Sequence, residues 1–119
     1  MTDKTRSEEP EFMNAHPGET ILEDFLKPWG MTPYRLAKGM GVAPTRVDQI
    51  LKGKRAITAD TALRLSRFLG CAPEFWLRLQ MGYDLREARR ALGDELEKLT
   101  PYEHAGPLRE DGEQERIAA

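Results

Sequence analysis

The sequence predicts an all-α fold of about five short helices with a helical extension towards its C-terminal end, and three observations carry that prediction. Apolar residues recur at the three-to-four-residue spacing of amphipathic helices, and no segment has the period-two alternation of a strand. Prolines and glycines fall between these apolar runs, where they start and stop helices. The chain has only 119 residues, 39% of them hydrophobic and 32% charged. That suits one modest core under a charged surface and excludes a multidomain enzyme.

The first helix opens at His16, Pro17, Gly18 and Glu19, carries Ile21, Leu22, Phe25 and Leu26 at helical spacing, and is expected to end near Pro28. Trp29, Gly30 and Met31 connect it to a second helix, from Pro33 to about Met40, where Thr32 followed by Pro33 reads as N-cap and first helical position. Leu36, Ala37 and Met40 are its apolar face. Gly39 and Gly41 bracket the point where the chain turns, since glycine admits a positive φ there without steric cost. Pro44 starts a third helix whose inward stripe is Val47, Ile50 and Leu51, ending at Lys52 and Gly53. After a loop, Thr58 caps a fourth helix with Ala62, Leu63, Leu65, Phe68 and Leu69 inward and Asp60 complementing its dipole, and Gly70 stops it. Pro73 begins a fifth, with Phe75, Trp76, Leu79 and Met81 on one side, expected to break near Gly82. Asp84 with Glu87 three residues later has the form of a capping pair, so a further helix is expected through Leu85, Ala88 and Leu92 to Gly93.

The net charge of -2 hides an uneven spread. Between residues 28 and 70, Arg35, Lys38, Arg46, Lys52, Lys54, Arg55, Arg64 and Arg67 face only Asp48 and Asp60. A basic centre concentrates potential where an anionic partner would feel it. The same charges also describe a solvated helical surface, and charge alone leaves both readings open. Residues 1–15 and 101–119 are acidic and almost without large apolar side chains, the composition of disordered tails. Cys71, the single cysteine, cannot form an internal disulfide, and no paired Cys and His spacing would hold zinc. No run approaches the roughly 18 apolar residues of a membrane helix. The opening MTDKTRSEEPE is unlike a signal peptide. A cytoplasmic protein with no membrane partner is expected.

Helices two and three, joined by a glycine turn, have the plan of a helix-turn-helix, in which the second member enters the major groove of DNA. Residues 32–52 meet its demands: small Ala37 where helix three crosses, Gly41 at the turn, and branched Val47 and Ile50 in helix three. An ordinary helical hairpin satisfies the same pattern.

The stretch LAKGMGVAPTRVDQILKGKRAITADTALRLSRFLGCAPEFWLRLQ resembles the HigA family of antitoxins, helix-turn-helix proteins of the Xre (lambda-repressor-like) class. The resemblance covers about residues 16–83, and GVAPTRVDQILKGKRAITADTALRL and PEFWLRLQ are its most specific pieces. It implies a lambda-repressor-like helix-turn-helix domain and a homodimer that represses its own operon by binding palindromic operator DNA. It also implies a second partner, a HigB-like toxin: an mRNA-cleaving ribonuclease similar to RelE, held inactive in the complex. The alternative is a stand-alone Xre-family transcriptional regulator without a toxin partner. Neither needs a cofactor. Residues 16–72 are then the DNA-binding domain and residues 73–100 the C-terminal helices suited to dimerisation.

The first residues of a recognition helix reach base edges. Here these are Pro44, Thr45, Arg46 and, one turn on, Gln49. Arg46 suits two hydrogen bonds to guanine, Gln49 two to adenine, and Thr45 a base or a phosphate, so Thr45, Arg46 and Gln49 are the expected base contacts. Simple pairing of Arg46 with Asp48 or a phosphate is the alternative. Pro44 has no N–H to donate and is expected beside the DNA backbone as a helix-start and shape element. Many Xre proteins carry a polar residue for the phosphate where this chain has Pro33, which leaves Thr32, Tyr34 and Arg35 as substitutes. Lys52, Lys54 and Arg55 flank the end of helix three and are further expected phosphate contacts. Arg64 and Arg67 read as solvated.

Phe75, Trp76 and Leu79 suit a core, an interface or a ligand slot, the core first; but a domain this small cannot easily bury all of Phe75, Trp76, Leu79, Tyr83 and Leu85, and these are the expected contribution to a two-fold dimer interface. His16 and His104 read as cap or surface residues, and Cys71 as a small packed hydrophobe. With no Ser/His/Asp set, no glycine-rich phosphate loop and no metal cluster, an enzyme is not expected.

Overall fold

His16 opens the first helix by accepting the Gly18 N–H on its Nδ1 at 2.9 Å, and Pro17 takes the next position. The structure, a computed structural model, describes residues 14–103. Helix α1 is one rod of three pieces: an α-helical Pro17–Ile21, a π-helical Leu22–Leu26, and Lys27–Trp29, ended by Gly30 at φ 64°. Ile21 and Leu26 lie five residues apart, yet both are 1% exposed. In an α-helix such a pair would point about 140° apart. The wider π turn brings both to the core side. The Lys27 N–H bonds Leu22 O in that wider register, and Pro28, which has no N–H, follows at once.

Helix α2, Pro33–Met40, starts where Thr32 Oγ1 accepts the Arg35 N–H at 3.0 Å and stops at Gly41, φ 72°. Helix α3, Pro44–Leu51, follows after a turn in which the Val42 N–H returns to Ala37 O at 3.0 Å. Leu36, Ala37 and Met40 of α2 and Val47 and Ile50 of α3 are buried together, so the expected helix pair forms with the expected stripe inward. Helix α4, Ala59–Leu69, is capped by Thr58 and stopped by Gly70, with Ala62, Leu65 and Leu69 in the core. Leu63, expected inward, is exposed, because it lies one residue off the 62–65–69 stripe.

Helix α5, Pro73–Leu92, runs for 20 residues without the break expected at Gly82, and a short 3-10 segment, Gly93–Lys98, follows it. A glycine inside a helix costs only about 1 kcal/mol, and the Asp84 carboxylate, instead of capping a new helix, accepts from Gln80 Nε2 at 2.9 Å one turn earlier. Gln80 is itself buried, and its Oε1 accepts the N–H of Ile57 at 2.8 Å. Ile57, in the loop after α3, is a core residue that periodicity did not mark. Met81, expected inward, is exposed.

The largest correction concerns Trp76. It is 0% exposed, with its ring 5.3 Å from that of Phe25 on α1 and 4.8 Å from that of Phe75. The domain solves its burial problem by closing α1 and α5 on each other, so Trp76 offers nothing to a second subunit. Phe75, Leu79 and Tyr83 are half-buried, and Tyr83 sets its ring edge-on to His16 at 4.9 Å. Leu85 is exposed and lies with Leu77 and Met81 on one face of α5.

Cys71 is half-buried against the core. Of the expected acidic tails, only residues 14–15 and 101–103 are described. Asn14 is bonded to α5, its Nδ2 donating to Tyr83 O at 3.0 Å and its Oδ1 accepting from Arg86 Nε at 2.5 Å. The remaining tail residues and His104 lie outside the described residues.

The His16 cap carries a pH dependence. Burial lowers the His16 pKa from its ordinary value of 6.5, against the weaker pull of Asp84 and Glu19. As pH falls through 6.5 the unfolded chain binds the proton first, so stability declines from there down to the lowered folded value. A protonated Nδ1 can no longer accept the Gly18 N–H. His16→Asn, which keeps a capping oxygen, is expected to flatten the stability profile between about pH 7 and 5, measured by urea denaturation as the difference between variant and parent. Parallel profiles would remove His16 as the cause.

Candidate nucleic-acid interface

Helix α3 is amphipathic, and burial of Val47 and Ile50 leaves Pro44, Thr45, Asp48 and Gln49 exposed on its other side. Its far end is held by backbone bonds: the Lys52 N–H reaches Asp48 O at 3.0 Å and the Lys54 N–H reaches Gln49 O at 2.8 Å. Gly53, φ 75°, turns the chain beside the His16 ring. Lys52, Lys54 and Arg55 are therefore exposed next to the end of α3, and Arg55 Nη1 donates to Gln49 Oε1 at 3.2 Å. That bond brings an expected phosphate contact alongside an expected base contact. Lys52 pairs with Asp48 at 3.2 Å.

Arg46 does not join this face. Its side chain is 22% exposed, and its Nη2 donates to Asp60 Oδ1 at 2.8 Å and to Thr61 Oγ1 at 2.7 Å. Arg46 shares the helix side of Ile50, four residues on, so its long side chain runs along the core edge to the first turn of α4 instead of outward with Thr45 and Gln49. Its ion-pair partner is Asp60, not the Asp48 or phosphate of the alternative reading. Its Nε is buried without a partner among the described residues.

At the start of α2, Thr32 spends its oxygen on the cap, Tyr34 is 66% exposed, and the Arg35 guanidinium lies 4.9 Å from the centre of the Phe68 ring. That ring covers Gly39, where a β-carbon would collide with it. Arg64, expected to be solvated, instead fastens the turn between α2 and α3. Its Nη1 donates to Met40 O at 2.9 Å and Gly41 O at 3.2 Å, carbonyls the helix end leaves unpaired, and its Nε donates to Asp60 Oδ1 at 2.7 Å. The two guanidiniums hold the Asp60 carboxyl below the usual carboxylate range, the hydrogen bond from Arg46 being the largest single cause. Sequence reasoning missed both ion pairs. The four-residue spacing of Asp60 and Arg64 was a usable signal, whereas nothing local links Arg46 to Asp60.

The exposed face offers a hydroxyl, an amide and several cations, groups that read and hold a nucleic acid by hydrogen bonds and charge. Among the described residues no cluster of His, Cys, Asp and Glu could hold a metal ion, and no helix is long and apolar enough to cross a membrane.

Comparison with known proteins agrees with the helix-turn-helix fold. A helix-turn-helix family model matches residues 22–76. Virulence-associated protein I of Dichelobacter nodosus is 47% identical over 75 residues, 63% of this chain and 69% of that protein. Antitoxin HigA-1 of Vibrio cholerae is 37% identical over 84 residues, 71% of this chain and 79% of that protein. Among solved structures, the Pseudomonas aeruginosa antitoxin HigA with the higBA promoter superposes with a TM-score of 0.73 at 33% identity, covering 76% of this chain and 100% of that one. The antitoxin GraA in complex with its operator gives 0.72 at 40% identity, covering 82% and 98%.

Proposed function

The chain belongs to the helix-turn-helix family that holds the HigA antitoxins, and from that membership we propose that it is an operator-binding antitoxin. As a homodimer it represses its own operon, and it binds and neutralises a HigB/RelE-like ribonuclease toxin in the cytoplasm. The observation that carries the reading is the exposed face of α3, with Thr45 and Gln49 ready for base edges and Lys52, Lys54 and Arg55 beside them for phosphates. It is supported by two relatives of this fold whose structures contain promoter or operator DNA.

A two-fold dimer inserts two copies of α3 into successive major grooves about 34 Å apart. The exposed Leu77, Met81 and Leu85, one turn apart on α5, form an apolar face suited to that dimer once Trp76 is committed to the core.

Thr45 and Gln49 supply sequence discrimination, and the three cations supply affinity that salt weakens. On a duplex selected from a random library, Gln49→Ala is expected to cost about 1–3 kcal/mol and to relax preference at one base pair. Lys54→Ala should weaken binding to every sequence alike and lower the salt slope by about one unit. Titrations by fluorescence anisotropy at several salt concentrations check both; identical signatures for the two variants would contradict the division of labour. The toxin half is tested by co-expression with the small gene beside its own. Relief of growth inhibition together with a stable complex supports it, and a neighbour that neither binds nor is relieved leaves a stand-alone regulator.

A further inference from the structure

We propose that Asp60 is the positioning residue of operator recognition, a carboxylate on α4 that fixes the angle at which α3 presents Thr45 and Gln49. The inference deepens the operator-binding reading and rests on it.

One oxygen of Asp60 accepts from two guanidiniums that reach it from different sides. Arg46 comes from α3 at 2.8 Å, and Arg64, one turn further along α4, donates at 2.7 Å while its other arm holds Met40 O and Gly41 O at the end of α2. Arg46 is tied a second time, to Thr61 Oγ1. A single carboxylate thus connects the start of α3, the α2–α3 turn and the first turn of α4. Apart from these two bonds of Arg46, the start of α3 has no polar side-chain anchor to another helix among the described residues, for its N-cap position is Ala43, which supplies no capping bond. What otherwise holds the helix is Val47 and Ile50, and apolar contact is non-directional: it resists separation of α3 from the core more than rotation about the helix axis. Charge-assisted hydrogen bonds are directional. Thr45 adjoins Arg46, and Gln49 lies three residues on, so a roll of α3 moves both relative to base edges that tolerate misplacement of only about 0.5 Å.

The location also separates recognition from stability. The Asp60 side chain is 57% exposed and its Arg64 partner 40% exposed, and ion pairs so exposed add little to folding, while Arg46, 22% exposed, keeps its bond to Thr61 Oγ1 when Asp60 is lost. The effect of losing it therefore belongs on DNA discrimination. Removing a negative charge, by itself, strengthens binding to all DNA alike and leaves the ratio between sequences unchanged.

The test uses the full chain with Asp60→Asn, Asp60→Glu and Arg64→Gln, titrated against a duplex selected on the parent protein and against a scrambled duplex of equal length, with circular dichroism to compare helicity. Asp60→Asn and Arg64→Gln are expected to keep the parent's helicity and to lower the ratio of affinities for the selected over the scrambled duplex about tenfold, Asp60→Asn with no loss on the scrambled duplex and Arg64→Gln with the uniform loss on both that removing a positive charge brings. Asp60→Glu, which retains the charge, should recover part of the difference. Combining Arg46→Gln with Asp60→Asn should cost no more than either change alone. Equal losses on both duplexes, an unchanged ratio, or tighter binding to the selected duplex would overturn the proposal; the last would mean that Asp60 holds Arg46 away from DNA. Should the parent not distinguish the two duplexes, the operator reading fails and this one with it, an outcome distinct from a discriminating parent with indifferent variants.

Discussion

Trp76→Ala is expected to cost about 3–5 kcal/mol of folding stability, the range for emptying a buried aromatic site. The side chain is 0% exposed and bridges α1 and α5 through its ring contacts with Phe25 and Phe75. Its indole N–H meets no acceptor among the described residues, so packing is what the residue contributes. A domain of this size has only about 5–15 kcal/mol in total, and removing the tryptophan therefore takes away a large share. Urea denaturation followed by circular dichroism checks this, with Trp76→Phe as the milder comparison that keeps an aromatic ring in place. An unchanged midpoint combined with weakened self-association would return Trp76 to a subunit interface and undo its assignment to the core.

That residue marks the boundary of what the sequence made legible. Helix ends were readable because proline and glycine act locally: Pro33, Pro44 and Pro73 start helices, and Gly41 and Gly70 stop them in the left-handed region. The α2–α3 pair followed from those signals plus one stripe of apolar residues. Features that depend on contacts distant in sequence were not readable. Whether Trp76 faces a partner or α1 is decided by Phe25, 51 positions earlier. The Arg46 side chain looked free for DNA because its partner, Asp60, sits on the next helix. The π turn in α1, which brings Ile21 and Leu26 to one side, escaped a reading made at α-helical spacing. Gly82 misled in the opposite direction: as a lone glycine it resembled a stop, but the helix continues with buried Gln80 two residues before it and half-buried Tyr83 just after.

Gly18→Ala is expected to destabilise the protein by about 2–3 kcal/mol or more, within the range for forcing an added methyl group into a packed site. Helix propensity argues for the opposite sign, since alanine in place of a helical glycine gains about 0.4–1 kcal/mol. Surroundings decide between them. A β-carbon on Gly18 would run into the carbonyl oxygen of Ile50, 2.9 Å from its carbonyl carbon and 3.0 Å from Leu51 Cα. These are backbone atoms and cannot rotate aside. At Gly39, by contrast, the obstacle is the far end of the half-buried Phe68 ring, a side chain and not backbone, and Gly39→Ala should be the milder change. The atoms that Gly18→Ala would push are those at the end of α3, from which the loop bearing Lys52, Lys54 and Arg55 departs. Operator affinity should therefore fall even at low temperature, where the variant remains folded. A raised denaturation midpoint, as propensity alone directs, would mean that α1 does not press on α3 and that the phosphate-contacting loop takes its orientation from elsewhere.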